Sequence, residues 1–216
     1  MKNQGDQIKS QDAQRWLEWA WEIQALSQTG IHFSNNDFEI KRLNRLQEIS
    51  AEIINEHASI SYDRLVKIFD DQSGYTTPRV DVRGAVFRDD KLLMVREILD
   101  GGWTMPGGWA DVNDYPSESV EREVVEETGF LVKARRIIGI YDANRIEPLD
   151  LFHAYKIVFY CEIISGEAHS SDETSEVGFF GLDEMPQPFS GERTKQRHVD
   201  DAFKNLKDPN VPVWFD

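Results

Sequence analysis

The stretch Arg122–Phe130 reads REVVEETGF, and it crowds Glu123, Glu126 and Glu127 between Pro116 and Gly129. Proline suits the first turn of a helix, where its missing N–H has no partner to lose. Glu118 suits the positive N-terminal end, and a glycine suits the stop. These signals predict one helix over 116–128. At 100° per residue, Val120, Val124 and Thr128 span an arc of about 80° and form the buried side, while Glu123, Glu126 and Glu127 span about 100° on another side. At that spacing the three carboxylates can converge. Exposed like-charge helical pairs cost only about 0.2–0.5 kcal/mol, so a solvated acidic face is one reading. With partial shielding, two charges about 6 Å apart repel by roughly 3 kcal/mol, which calls for a counterion. The preceding loop, Pro106-Gly107-Gly108, allows close backbone approach. Hard oxygen ligands on one face, beside backbone carbonyls, suit Mg²⁺ or Mn²⁺.

Charge bounds the partners. The chain carries a net charge of −15 over 216 residues. Sequence-independent nucleic-acid binding needs Lys and Arg against phosphate, so nucleic acid is not an expected partner. If such a chain handles phosphates, it needs metal cations to do so. The single cysteine, Cys161, lies in the apolar run IVFYCEII and reads as a small core residue. The N-terminus is polar and no apolar run approaches transmembrane length, so a soluble cytoplasmic protein without membrane contact is expected.

The organisation changes near residue 72. Residues 1–71 read as an N-terminal helical domain, with 1–11 as a loose tail. Trp16, Ala20, Ile23 and Leu26 recur at helical spacing with Trp19 beside them, and Thr29-Gly30 reads as a stop. Asn36 followed by Glu39 resembles a capping box. Leu43, Leu46, Ile49 and Ile53 form the stripe of a second helix, and a third is predicted over 62–69. Three short helices make a marginal core, so this domain is expected to pack on the rest of the chain or on a second subunit, and a homodimer is the expected state. Residues 72–79 read as a linker. Residues 80–216 begin with a hairpin, VDVRGAVF and KLLMVRE around Asp89-Asp90. Further strands are predicted at 132–141, 154–164 and 177–181, and a last helix at 194–206. This pattern is an α/β (α+β) sandwich.

Gly108, Asp114 and the run Arg122-Glu123-Val124-Val125-Glu126-Glu127-Thr128-Gly129-Phe130 together resemble the Nudix box, G-x5-E-x7-R-E-U-x-E-E-x-G-U. Every fixed position matches except Asp114, where the family has Glu. The resemblance implies a Nudix-type α/β/α sandwich around a mixed sheet, and Mg²⁺- or Mn²⁺-dependent hydrolysis of a nucleoside diphosphate linked to a moiety X. It also implies Glu123 and Glu127 as main metal ligands, with Glu126 sharing a metal or orienting water and the Gly108 carbonyl as a further ligand. Arg122 would hold the glutamates by ion pairing. Asp114 puts the loop geometry in question more than the metal site. Family members often add a later acidic residue, and Glu173 is the candidate for extra ligand or general base, with Glu176 second.

The resemblance extends to the helical N-terminal domain and to WTMPGGWADV, IGIYD and YKIVFYCEI, which look like a subgroup of CDP-choline pyrophosphatase-like and ADP-ribose pyrophosphatase-like enzymes. It implies a CDP-alcohol substrate, CDP-choline first and ADP-ribose as the alternative. A choline head wants aromatic or acidic neighbours, for which Trp103, Trp109, Tyr141 and Asp142 are candidates. His153 and His198, and Arg145, Arg193 and Arg197, are candidate phosphate contacts. All of these residues also suit core or surface roles. A reading from a different class is a catalytically weak nucleotide-binding regulator. The loop 141–152 is expected to decide what X is.

Overall fold

The computed structural model describes residues 4–57, 61–70, 74–143, 153–191 and 193–216. The chain divides into two compact units, Met1–Thr77 and Pro78–Asp216.

The first unit is helical: α1 (Gln4–Phe33), α2 (Asp37–His57) and α3 (Tyr62–Asp70). Two sequence expectations are corrected here. Residues 4–11 continue α1 and are not a loose tail, and α1 runs through Gly30 to Phe33. The expected cap at Asn36 forms on one side: its Oδ1 accepts the N–H groups of Phe38 and Glu39. The Glu39 carboxylate instead accepts from Ser34 Oγ at 2.7 Å. The buried face of α1 carries Leu17, Ala20, Gln24, Ser27 and Gln28. It meets Ser50, Ala51 and Ile54 of α2, and Ser50 Oγ donates to the Ala20 carbonyl at 2.7 Å. Small side chains at this contact let the two backbones close up, while Leu26 and Leu46 of the expected stripes lie outside it. Leu26 is 66% exposed, and Trp19, Phe33 and Leu46 are exposed too. No helix among the described residues is long and apolar enough to cross a membrane.

The second unit contains β1 (Arg79–Arg88), β2 (Lys91–Glu97), β3 (Trp103–Thr104), α4 (Pro116–Thr128), β4 (Phe130–Asp142), β5 (Ala154–Gly166), β6 (Thr174–Phe180), α5 (Gln196–Lys207) and β7 (Trp214–Phe215). The sheet runs β3-β2-β1-β5-β4-β7, with β6 paired to β2. It is mixed: β1–β5 and β4–β7 are parallel, while β1–β2, β2–β3, β2–β6 and β4–β5 are antiparallel. Asp89 and Asp90 turn the β1–β2 hairpin at φ of 51° and 57°, as a tight two-residue turn requires. Alternation along β1 sends Val82 and Val86 to one face, with Val120 and Val124 of α4, and Ala85 to the other, with Val199, Ala202 and Phe203 of α5. Gly84 permits the close seat of α4, since a Cβ there would lie 2.7 Å from Val124. The result is a three-layer α/β/α arrangement, the fold class expected from the sequence. Cys161 is buried in the α4-side core.

Candidate active site on the acidic helix

The ends of α4 are set by local chemistry. Pro116 occupies its first turn, and Gly129 closes it at φ 78° with its N–H on the Val125 carbonyl. The loop before α4 lies along β1 as a further strand-like segment. Gly84 N–H donates to the Pro106 carbonyl, Val82 N–H to Gly108 and Ala110 N–H to Val80, at 2.8, 2.8 and 2.9 Å. Gly107, at φ 142°, packs so closely that a Cβ would strike the Val82 carbonyl. Its N–H then points at α4 and donates to Glu127 Oε2 at 2.9 Å.

The three glutamates end in three environments. Glu127 is only 6% exposed. Burial pushes its carboxyl up to about 8, against the pull of Arg83 and the Gly107 N–H, with Glu97 and Glu123 adding to the rise. Glu123 is half-buried and also raised by burial, with Arg122 opposing. Glu126 is exposed and reaches Arg122 Nη1 at 3.2 Å. The expectation that all three converge is therefore corrected. Among the described residues no three acidic, His or Cys side chains stand close enough to cage a metal ion. The helix turns Glu127 inward and Glu126 outward, leaving Glu123 between them.

Arg122 sits as the acidic box implied. Its Nη1 meets Glu123 at 2.8 Å, its Nη2 meets Asp111 at 3.0 Å, and its Nε reaches Asp114 at 3.5 Å. The shortened Asp114 is thus still on the guanidinium, at the longest of these contacts. Glu121 serves packing instead, accepting from the Ala134 N–H and from Lys133.

The donor set fits a hard divalent cation. A carboxyl held largely protonated by burial, with Glu97 and Glu123 adding to the rise, gains from positive charge. Gly108 forms a cradle as well: a Cβ there would lie 2.7 Å from Glu123 Oε2. One lone pair of the Gly108 carbonyl is used by Val82 N–H, and the other is free to ligate. Glu123, Glu127 and this backbone are the groups that would hold such an ion.

Beneath Glu127 lies a charged network that sequence reasoning missed. Arg83 is fully buried, with Nε and Nη2 on the two Asp81 oxygens at 2.9 and 2.8 Å. Lys156 Nζ, also buried, reaches Asp81 at 3.1 Å. The two cations hold Asp81 down to about 2 despite burial. Glu97, at the end of β2, is buried, raised by desolvation, and feels Arg193, Arg83 and Glu173. The signal available in the sequence was the pair Asp81 and Arg83, opposite charges two apart on a strand otherwise rich in valine.

The remaining candidates separate. Trp103 and Tyr141 are corrected to core residues. Trp103 packs edge-on to Phe180, and Tyr141 packs tilted against His198 and donates its hydroxyl to Asp201 at 3.1 Å. Trp109 is 41% exposed, with Arg79 over its ring, and Asp142 pairs with His153 at 3.3 Å. Glu173 is exposed at the start of β6, where neighbouring Thr174 donates to the Glu127 carbonyl at 3.0 Å. Glu176 is spent on Arg96 at 2.7 Å. His198 is buried and pushed down to about 3 by desolvation, and its Nδ1 accepts the Lys195 N–H. Arg197 pairs with Asp216 at 2.9 Å and lies over Tyr141 and Trp214. Arg145 and most of the 141–152 loop lie outside the described residues.

An acidic helix packed on a mixed sheet, with a glycine cradle and a buried carboxylate, defines a hydrolase site of the Nudix type. Residues 77–202 match the NUDIX domain, and residues 14–69 match a domain described as UDP-X-like, N-terminal oligomerisation. The chain belongs to the Nudix family and is a Nudix pyrophosphohydrolase. A Bacillus subtilis protein provisionally named as the ADP-ribose pyrophosphatase YjhB is 32% identical over 203 residues, covering 94% of this chain and 97% of that protein. The crystal structure of an ADP-ribose pyrophosphatase from Streptococcus suis is 34% identical over 65% of this chain and all of that one, with a TM-score of 0.59. The structure of a UDP-X diphosphatase is 25% identical over 94% of this chain and 99% of that one, with a TM-score of 0.60. Hydrolases of this family generally use a divalent metal.

Proposed function

We propose that this chain hydrolyses the pyrophosphate bond of a nucleoside diphosphate linked to X, releasing a nucleoside monophosphate and phospho-X. The substrate we favour is ADP-ribose, and the cation Mg²⁺, with Mn²⁺ able to replace it. The observation that carries the reading is the buried Glu127 carboxyl held by Gly107 N–H, with Glu123 beside the Gly108 backbone. The names of the relatives support ADP-ribose over CDP-choline. The burial of Trp103 and Tyr141 also removes two of the four side chains that would have met a choline head.

A bound divalent cation supplies charge neutralisation for the phosphates and acidifies water. The chain supplies placement. Gly107 N–H and Arg83 favour the ionised form of Glu127, the form that would hold a cation. Arg122 fixes Glu123 and Glu126 from the flank and stays off the substrate. Glu173, an exposed carboxylate close enough for its charge to be felt at Glu97, accepts the proton of the attacking water. Trp109 and Asp142 remain as substrate contacts. The helical unit of residues 1–71 carries a homodimer contact, and residues 80–216 carry the chemistry.

The test is incubation with ADP-ribose, CDP-choline, a UDP-sugar and a short RNA, with and without Mg²⁺, and identification of products. Metal-dependent AMP and ribose 5-phosphate from ADP-ribose is the expected outcome. Preferential release of CMP would reinstate the CDP-choline reading. No turnover of any compound would leave a nucleotide-binding regulator as the better account.

A further inference from the structure

Arg193, whose side chain is 34% exposed, lies 3.5 Å from the buried carboxylate of Glu97. Its backbone is pinned on both sides to the strand that leads into the glycine cradle. Ser190 N–H donates to the Trp103 carbonyl at 2.8 Å, and Thr194 Oγ1 accepts the Met105 N–H at 3.0 Å. Thr194 also shares a hydrogen bond with Thr104 at 2.9 Å. Gly102 permits the docking, because a Cβ there would lie 2.5 Å from the Ser190 Cα. Met105 is two residues from Gly107, whose N–H holds Glu127. Arg193 is thus fixed to the same wall as Glu127.

Its guanidinium is guided but not consumed. Nε lies 3.5 Å from Glu97 and Nη1 lies 3.8 Å from Asp100. Among the described residues its short side-chain contact is Nη1 on Ser190 Oγ at 3.1 Å. Asp100 is itself engaged by Ser190 Oγ and by Gly102 N–H, both at 2.9 Å. Long ion pairs on one edge leave the fork free to take a second acceptor, and planar forks suit phosphate oxygens.

We propose that Arg193 is a substrate-binding residue that takes a phosphate oxygen of the nucleoside diphosphate, with Glu97 and Asp100 aiming its guanidinium. This rests on the pyrophosphohydrolase reading above. In so acidic a basin, a fixed arginine gives an anionic substrate a landing point that the glutamates alone deny it.

The experiment compares wild type with Arg193→Gln and Arg193→Lys in two readouts. The first is steady-state kinetics with ADP-ribose and Mg²⁺. The second is calorimetric binding of ADP-ribose to Glu127→Gln, with and without Arg193→Gln, which needs no turnover. Arg193→Gln is expected to raise KM and weaken binding at least about tenfold, with kcat changed less than about threefold and partial rescue by Lys. Arg193 also neutralises buried Glu97, so Glu97→Gln/Arg193→Gln controls for folding. Stability regained without regained affinity supports the assignment. Unchanged KM and binding in Arg193→Gln, or affinity restored by Glu97→Gln, overturns it. Absence of turnover in wild type with Arg193-dependent binding retained would refute the hydrolase reading and keep this one. Absence of both turnover and binding refutes both.

Discussion

Replacing Glu127 by Gln removes a charge that the fold resists and keeps an oxygen for the Gly107 N–H. The carboxyl rises from its ordinary value of 4.5 to about 8 because it is buried. Its folded pKa lies above its unfolded one, so between about pH 4.5 and 8 the folded state holds the extra proton. Stability therefore falls as pH rises through that window. At about 1.36 kcal/mol per pK unit, the raised pKa of Glu127 costs about 4 kcal/mol of stability at pH 7.5 and under about 1 at pH 5. Water penetration and relaxation return part of this, leaving about 2–4 kcal/mol. At roughly 3 °C per kcal/mol, metal-free Glu127→Gln melts about 6–12 °C above wild type at pH 7.5 and within about 3 °C of it at pH 5. Calorimetry of the hydrolase unit in EDTA reads this directly, and other titrating groups cancel between the two proteins. Adding Mg²⁺ raises the melting temperature of wild type more than that of the variant, since only wild type offers the ionised ligand, and the variant loses most hydrolytic activity. Equal melting temperatures at pH 7.5, or a gap that does not shrink at pH 5, would refute the reasoning.

Gly107→Ala is expected to lose more than about 2 kcal/mol and all activity, because its φ and the Val82 carbonyl both exclude a side chain. Gly108→Ala has a milder effect on urea unfolding but weakens Mg²⁺ binding by calorimetry, since its Cβ meets the Glu123 carboxylate. Asp81→Asn strands two buried cations and is expected to cost about 3–5 kcal/mol in urea, more than Arg83→Met, which leaves Lys156 on Asp81. The Asp81 contribution is present above about pH 4 and fades as pH falls through its folded value of about 2. Leu26→Glu, on the exposed stripe of α1, is expected to turn a dimer into a monomer by light scattering at micromolar concentration. A dimer that persists with every residue of that stripe charged would place the contact elsewhere.

The acidic helix was legible in the sequence because its determinants are local. Proline at the start, glycine at the end and a valine stripe between them fix α4 without reference to the rest of the chain, and the observed bounds are those predicted. The long strands β1, β2, β4, β5 and β6 followed from their own apolar patterns, whereas the two-residue β3 and β7 were not predicted. What stayed hidden depends on partners distant in sequence. Lys156 meets Asp81 from 75 residues away, so neither residue alone announces a buried network. Trp103 and Tyr141 have the composition of a ligand cage, and only the layer formed by α5 and Phe180 turns them into core. In α1 small and polar residues hold the contact with α2, so apolar periodicity by itself does not show which face packs there.

These two kinds of residue meet at Glu127. The visible glutamates give the site its ligands, but a carboxylate that is merely buried would stay protonated and bind a cation poorly. The hidden Arg83 lies behind it, neutralised only in part because Asp81 is shared with Lys156. That residual positive charge favours the ionised form of Glu127, while the buried Glu97 nearby opposes it. The balance leaves the carboxyl poised near neutrality, so that arrival of a cation decides its charge. A cation held by Glu127 and Glu123 would then take the place of the Glu127 proton, and the metal-free chain would keep that proton instead.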